Sequence, residues 1–425
     1  MASRRITGSP GAFGPRFLTL SVGLLLAACS DKALPTVAKS PERVRVAAEP
    51  SRPAAGYAWQ SSTHSPDWVE PEPRLRNLAK QCQHFERGLM HVAGHIAERQ
   101  AQRQGSLAPD ELKLALRAAG VPQVWERVWS LSAAELQDED ASRRIDAWLS
   151  KHSAQGEVRC GIARATNPDL EALVVIALDA VADLAPVPTR AHLGQWISID
   201  AQLHVPTRDA KVVVMGPTGA PRAVLTSAPR NNRVVSRVSL DQAGTWLIQV
   251  ISVHDAGPRP ALEAMVFVDS EPISHFEQRP VPGEAAGQGA PDEALAMLRM
   301  TNAAREASGL KPLVRDPELE RLATQHALEM VAADQLAHDL GRGGPAERVA
   351  AARLQAAAVG ENLATASTLV NAHRALWGSP SHRAALLEPR FNSVGIGVVT
   401  GEDRSIWVCE LFANFGSTGK IAPVH

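Results

Sequence analysis

At 425 residues the chain is longer than one hydrophobic core normally organises, so two or three domains are expected. Its 44 Lys and Arg against 45 Asp and Glu leave a net charge of −1, which gives no electrostatic case for a nucleic-acid partner. Four cysteines are too few for a disulfide scaffold.

Residues 1–28 read as an export signal. Arg4, Arg5 and Arg16 make a positive start, and Phe17 to Ala28 is uncharged, mostly apolar and too short to span a bilayer. The stretch ends in Leu26-Ala27-Ala28-Cys29. That ending resembles the bacterial lipobox, which implies that Cys29 becomes a lipidated N-terminus and anchors the chain to a membrane. An ordinary cleaved signal is the alternative. Ser30, standing where some lipoproteins carry Asp, implies the outer membrane by the same resemblance. Residues 29–73 are rich in Pro, Ala and Ser without a sustained apolar period, and are expected to form a tether.

Three bodies follow. Residues 74–186 are expected to be mainly helical, because Leu75, Leu78, Cys82, Phe85, Leu89, Val92 and Ile96 recur at helical spacing. Trp125, Trp129, Ser130, Ile145, Trp148 and Leu149 are assigned to further helices, and Cys160–Ala163 and Ala172–Leu178 to two strands. His91 and His95 stand four apart but lack both the intervening Glu of a metalloprotease helix and a third ligand. Cys82 and Cys160 admit two readings, a disulfide or two buried thiols. Residues 187–269 switch to period two, with strands expected at Trp196–Leu203, Lys211–Met215, Val234–Leu240, Gly244–Val253 and Ala261–Val268. Short strands at this spacing predict an immunoglobulin-like β-sandwich. A Gly/Pro/Ala-rich linker covers 270–290.

Residues 291–417 carry the chemistry. Asp292 opens a helix with Leu295, Leu298, Asn302 and Arg305 on one face, and Asp316-Pro317 opens a second with His326 on its inner face. His338 lies at the polar end of that segment. A helix from Pro345, a Gly360-Glu361-Asn362 loop and a helix through Trp377 come next. Ser379 is expected to cap a helix at Pro380 that holds His382 in its first turn. Strands Ser393–Val399 and Ser405–Ala413 complete an α+β body, with Cys409 unassigned on the last of them.

The order of Asn302 and Arg305, His338, Gly360-Glu361-Asn362, Ser379-Pro380-Ser381-His382-Arg383, Gly395-Ile396-Gly397 and Phe412-Ala413 resembles the CAP superfamily (cysteine-rich secretory proteins, antigen 5 and pathogenesis-related 1) in its bacterial form. The resemblance covers only the last 125 or so residues. It implies an α-β-α sandwich with a cleft where two His and two Glu converge. His338 resembles the first His, Glu361 the first Glu and His382 the second His. The second Glu departs from the pattern: Ser379 and Pro380 stand near its place, and Glu410 on the last strand is the substitute carboxylate. The first body, with Cys160-Gly161-Ile162-Ala163 echoing Val394-Gly395-Ile396-Gly397, is a candidate degenerate copy of the same fold.

Two imidazoles and a carboxylate can hold zinc with an open position, so His338, Glu361 and His382 are candidate metal ligands. The same set can act as an acid/base pair, or as a hydrogen-bonded brace between helices and sheet. Asn302, Arg305, Asn362, Ser379 and Arg383 read as fasteners. The leading reading is a non-enzymatic, lipid-anchored envelope protein that binds a lipid, protein or cell-wall ligand in the cleft. A metal-dependent hydrolase and a structural surface module are the alternatives.

Overall fold

The computed structural model describes residues 57–59, 66–151 and 154–416. The export signal, Cys29 and most of the tether lie outside the described residues. Among the described residues no helix is long and apolar enough to cross a membrane. The folded chain is mixed α and β.

The first body contains α1 (Pro73–Leu78), β1 (His84–Phe85), α2 (Arg87–Ala101), α3 (Pro109–Ala118), β2 (Glu126–Ala133), α4 (Asp138–Ser150), β3 (Glu157–Asn167) and β4 (Leu170–Ala180). It is not mainly helical: its four strands make one sheet in the order β1-β3-β4-β2, with β1 parallel to β3 and the other pairs antiparallel. The stretch holding Trp129 and Ser130 is strand β2, not helix. Trp129, Leu131 and Ala133 turn inward there, while Val128, Ser130 and Ser132 are exposed. That alternation is period two, hidden at sequence level by the run of large residues. Helices α2 and α3 pack on one face around Leu89, Leu116 and Ile176, and α1 and α4 on the other around Leu78, Ile145 and Val175. Cys82 and Cys160 form a disulfide that ties the segment after α1 to β3. Val69 donates to the Phe85 carbonyl at 3.0 Å, so the residues just before α1 are already part of this body.

The second body follows without a linker, since only Val181 separates β4 from β5 (Ala182–Leu184). Its other strands are β6 (Arg190–Ala191), β7 (Trp196–Leu203), β8 (Asp209–Met215), β9 (Arg222–Val224), β10 (Arg233–Ser239), β11 (Gly244–His254) and β12 (Gly257–Val268). A three-stranded sheet β10-β7-β5 and a five-stranded sheet β6-β12-β11-β8-β9 share one apolar core that includes Ile199, Val214, Trp246 and Ala264. Gly257 starts β12 at φ +105°, a left-handed conformation that lets the β11–β12 hairpin turn within its short tip.

The third body holds α5 (Glu293–Ala307), β13 (Val314–Arg315), α6 (Pro317–Ala333), α7 (Pro345–Ala351), β14 (Ala358–Ala366), α8 (Leu369–Gly378), α9 (Pro380–Leu386), β15 (Ser393–Thr400) and β16 (Ile406–Asn414). The sheet runs β13-β15-β16-β14, with β13 parallel to β15 and the rest antiparallel. Helices α6 and α7 cover the face of Leu363, Cys409 and Leu411; α5 and α8 cover the face of Ile396, Val408 and Phe412. The Gly360-Glu361-Asn362 segment is not a loop but part of edge strand β14. Gly360 is required there for close approach rather than for a turn, because a Cβ would sit 2.6 Å from the Phe391 ring.

The first and third bodies share the same strand order, the same single parallel pair and helices on both faces. A Cβ on Gly161 would strike the Leu89 backbone, and one on Gly395 the backbone at Leu319 and Glu320, each about 2 Å away. Each glycine therefore lets a long helix, α2 in one body and α6 in the other, sit directly on the sheet.

Candidate functional site

Glu361 is the hub. Pairing of β14 with β16 places it opposite Leu411, on the α6 face of the sheet, with a fully buried side chain. One oxygen accepts from His338 Nδ1 at 2.8 Å; the other accepts from Arg348 on α7 and, at 3.2 Å, from the Cys409 thiol. Burial alone would raise this carboxyl, but the hydrogen bond and charge of His338 and the charges of Arg348 and His326 outweigh it and hold Glu361 below its ordinary value. Burial, reinforced by the Glu361 charge, pushes the Cys409 thiol up, so it is an inert donor and not a nucleophile. With Nδ1 bonded to Glu361, the His338 ring is held in place by that carboxylate.

His382 stands at the third position of α9, two residues after Pro380, and lines the same cleft, of about 580 Å³, as His338 and the β14 residues Leu363 and Thr365. Burial, with the His338 and Lys113 charges, pushes its imidazole down to about 3, so the ring is neutral throughout the ordinary pH range. The cleft extends beyond the third body. Trp125, Arg127 and Asp179 of the first body form one wall, and His254, Gly257 and Arg259 of the second form another. Arg259 stacks over Trp125 at 4.2 Å and pairs with Asp179 at 2.9 Å.

Glu410 does not join this cleft. Side chains alternate along a strand, so Glu410 faces away from Glu361, toward α5. There it accepts from Thr301 Oγ1 at 2.6 Å and from Asn362 Nδ2 at 3.1 Å, and burial raises its pKa. The same Asn362 amide donates to the His382 carbonyl at 3.1 Å, tying α9 to β14. Asn302 exchanges two hydrogen bonds with the Leu313 backbone, and Arg305 donates to the carbonyls of Lys311, Leu386 and Glu388. Arg383 donates to the Trp377 carbonyl and lies over that indole at 4.1 Å. Ser379 does not cap α9 with its side chain; its hydroxyl instead contacts Ser381 Oγ at 3.3 Å.

The donor set does not fit a zinc ion. Glu361 already accepts from His338, Arg348 and Cys409, and among the described residues no three His, Cys, Asp or Glu side chains are grouped to hold a metal. His338 and Glu361 come together as a hydrogen-bonded pair; His382 shares the cleft with His338, whereas Glu361 is fully buried and does not line it. Sequence reasoning missed Arg348 as the counter-ion of Glu361, although a cation in the first turn of the preceding helix was visible. The walls supplied by Trp125, Arg127, His254 and Arg259 leave no local signal, because they arrive from other bodies.

Residues 298–411 match the family described as Cysteine-rich secretory protein family, CAP. Among curated proteins the uncharacterized protein YkwD of Bacillus subtilis (strain 168) is 31% identical over 113 residues. That match covers 26% of this chain and 43% of the relative, so the chain spans less than half of its length. An outer surface protein from Borrelia burgdorferi is similar at 22% identity over 29% of this chain and 93% of its own, with a TM-score of 0.28. An extracellular SCP-domain protein from Bacillus anthracis is similar at 15% identity over 56% of this chain and 86% of its own, with a TM-score of 0.27.

Proposed function

Proceeding from a chain whose C-terminal body is a CAP domain of the bacterial branch, we propose that this domain binds a polar ligand of the cell envelope, without catalysis, in the cleft of His338 and His382, with buried Glu361 holding His338 from behind. The observation that carries this reading is the state of the polar groups. Glu361 is locked in a buried cluster and cannot shuttle a proton without breaking it, whereas the His382 ring is neutral and makes no hydrogen bond among the described residues. A neutral imidazole can donate at one ring nitrogen and accept at the other, and in a cleft shared with His338 it suits a hydroxyl or amide group, as carried by glycan or peptide wall material. The lipobox-like Leu26–Cys29 segment supports a lipid anchor in the envelope, with the outer membrane its expected site.

Full-length protein should co-sediment with purified sacculi, and His382→Ala should weaken that binding at least about tenfold, the loss expected when one or two buried hydrogen bonds go. Release of new amino or reducing ends, abolished by Glu361→Gln at unchanged melting temperature, would replace binding with hydrolysis. Palmitate labelling tests the anchor: wild-type chain should take the label and Cys29→Ser should not, and an unlabelled wild type overturns it.

We also infer that the first body is a degenerate copy of the CAP fold. When Gly161 is matched to Gly395 through the shared strand pairing, Val128 falls on Glu361, Trp129 on Asn362 and Val175 on Glu410. Counting along α2 and α6 puts Ile96 on His326. Every one of these polar positions of the third body is apolar in the first, which supports a single working cleft.

A further inference from the structure

Both histidine-bearing segments of the cleft are held from outside the CAP domain, by one hairpin of the sandwich. Gln249 lies on β11, buried, and points away from the sandwich core. Its Oε1 accepts from the Ser381 backbone N–H at 3.1 Å, and its Nε2 reaches Ser379 Oγ at 3.4 Å and Glu263 Oε2 at 3.3 Å. The first turn of a helix has free N–H groups that an N-cap side chain normally takes, and Ser379 does not do so here. Gln249 therefore caps α9 in trans, one residue before His382.

The tip of the same hairpin holds the other histidine. The Ala256 carbonyl accepts from the backbone N–H groups of both His338 and Asp339, each at 3.1 Å. Gly257 packs so closely that a Cβ there would stand 2.7 Å from His338 Cβ. Within the CAP domain this irregular segment is held at the preceding residue, where the α6 residue His326 contacts the Ala337 carbonyl at 2.9 Å, but the His338 N–H itself goes to the sandwich.

We propose that Gln249 and the Ala256-Gly257 tip are positioning residues of the cleft, so that the sandwich sets the separation and aim of the His338 and His382 imidazoles. The sandwich is then a part of the binding site and not a spacer. This rests on the reading of the His338–His382 cleft as the working site.

The test uses the full chain and diethyl pyrocarbonate, which carbethoxylates unprotonated, accessible imidazoles, with each histidine followed by peptide mass spectrometry. Gln249→Met keeps the side-chain volume and removes the cap. It should change the labelling rate of His382 about fivefold, as loss of an N-cap does for a local opening equilibrium, while buried His326 stays protected. Gly257→Ala should shift the His338 rate and leave His382 near wild type. Unchanged rates at His382 in the first variant and at His338 in the second would overturn the proposal. Simultaneous labelling of His326 in the Gln249 variant, or in the Gly257 variant of buried His373, which is bonded to the Pro282 carbonyl, would show general loosening of the third body and overturn it too. The reagent reads geometry with no ligand present, so this outcome is separable from sacculus binding: the clamp can fail while binding holds, and the reverse.

Discussion

Glu361 and Glu410 sit on opposite faces of one sheet, and their surroundings drive them in opposite directions. Glu361 is depressed, so its contribution to stability is present above the ordinary value of 4.5 and is lost as pH falls through and below it. Glu410 is raised, so its contribution is present below 4.5 and is lost as pH rises through its folded value. Glu410→Gln should remove that second effect. The amide oxygen can take the Asn362 N–H, and the Thr301 hydroxyl can turn to accept from the amide nitrogen. Thermal unfolding at a series of pH values should show Glu410→Gln at least as stable as wild type near pH 7–8 and gaining relative to it as pH rises from 4.5. A variant that loses stability at neutral pH would mean that the carboxylate is needed as a carboxylate.

At the scale of elements, what can be read from sequence follows the period. Strands β7, β10, β11, β15 and β16 are legible because apolar residues alternate or run on over seven or more positions. Strand β2 is not, since Trp125 and Trp129 stand four apart and imitate a helical face, and only the pairing with β4 decides between the two. The Gly360-Glu361-Asn362 motif is legible as a site but reads as a loop, because a glycine needed for packing against Phe391 looks the same as one needed for a turn. His338, Glu361 and His382 stand out by residue type and motif. The exclusion of Glu410 needs the register, since one residue along a strand reverses the face.

At the scale of the whole molecule, the three bodies are joined through buried charge and not only through apolar surface. Glu263 on β12 is fully buried and pairs with Lys113 at 3.0 Å and Arg117 at 3.6 Å on α3; Lys113 also donates to the Gly378 carbonyl at the end of α8. First and second bodies therefore meet at one carboxylate, next to the Gln249 cap, and Lys113 and Gln249 link it to the third. Removing one partner of a buried ion pair strands the other, which costs about 3–5 kcal/mol, far more than the net worth of the pair. Glu263→Ala should lower the stability of the full chain by that order. It should also split a single calorimetric transition into separate ones, because Arg117, almost wholly buried, then loses its counter-charge across the junction. Glu263→Gln keeps the shape and its hydrogen bond to Gln249, so it should lose less. If Glu263→Ala unfolds in one transition within about 1 kcal/mol of wild type, the bodies are held together by their apolar contacts alone, and the buried charge is a passenger at the junction.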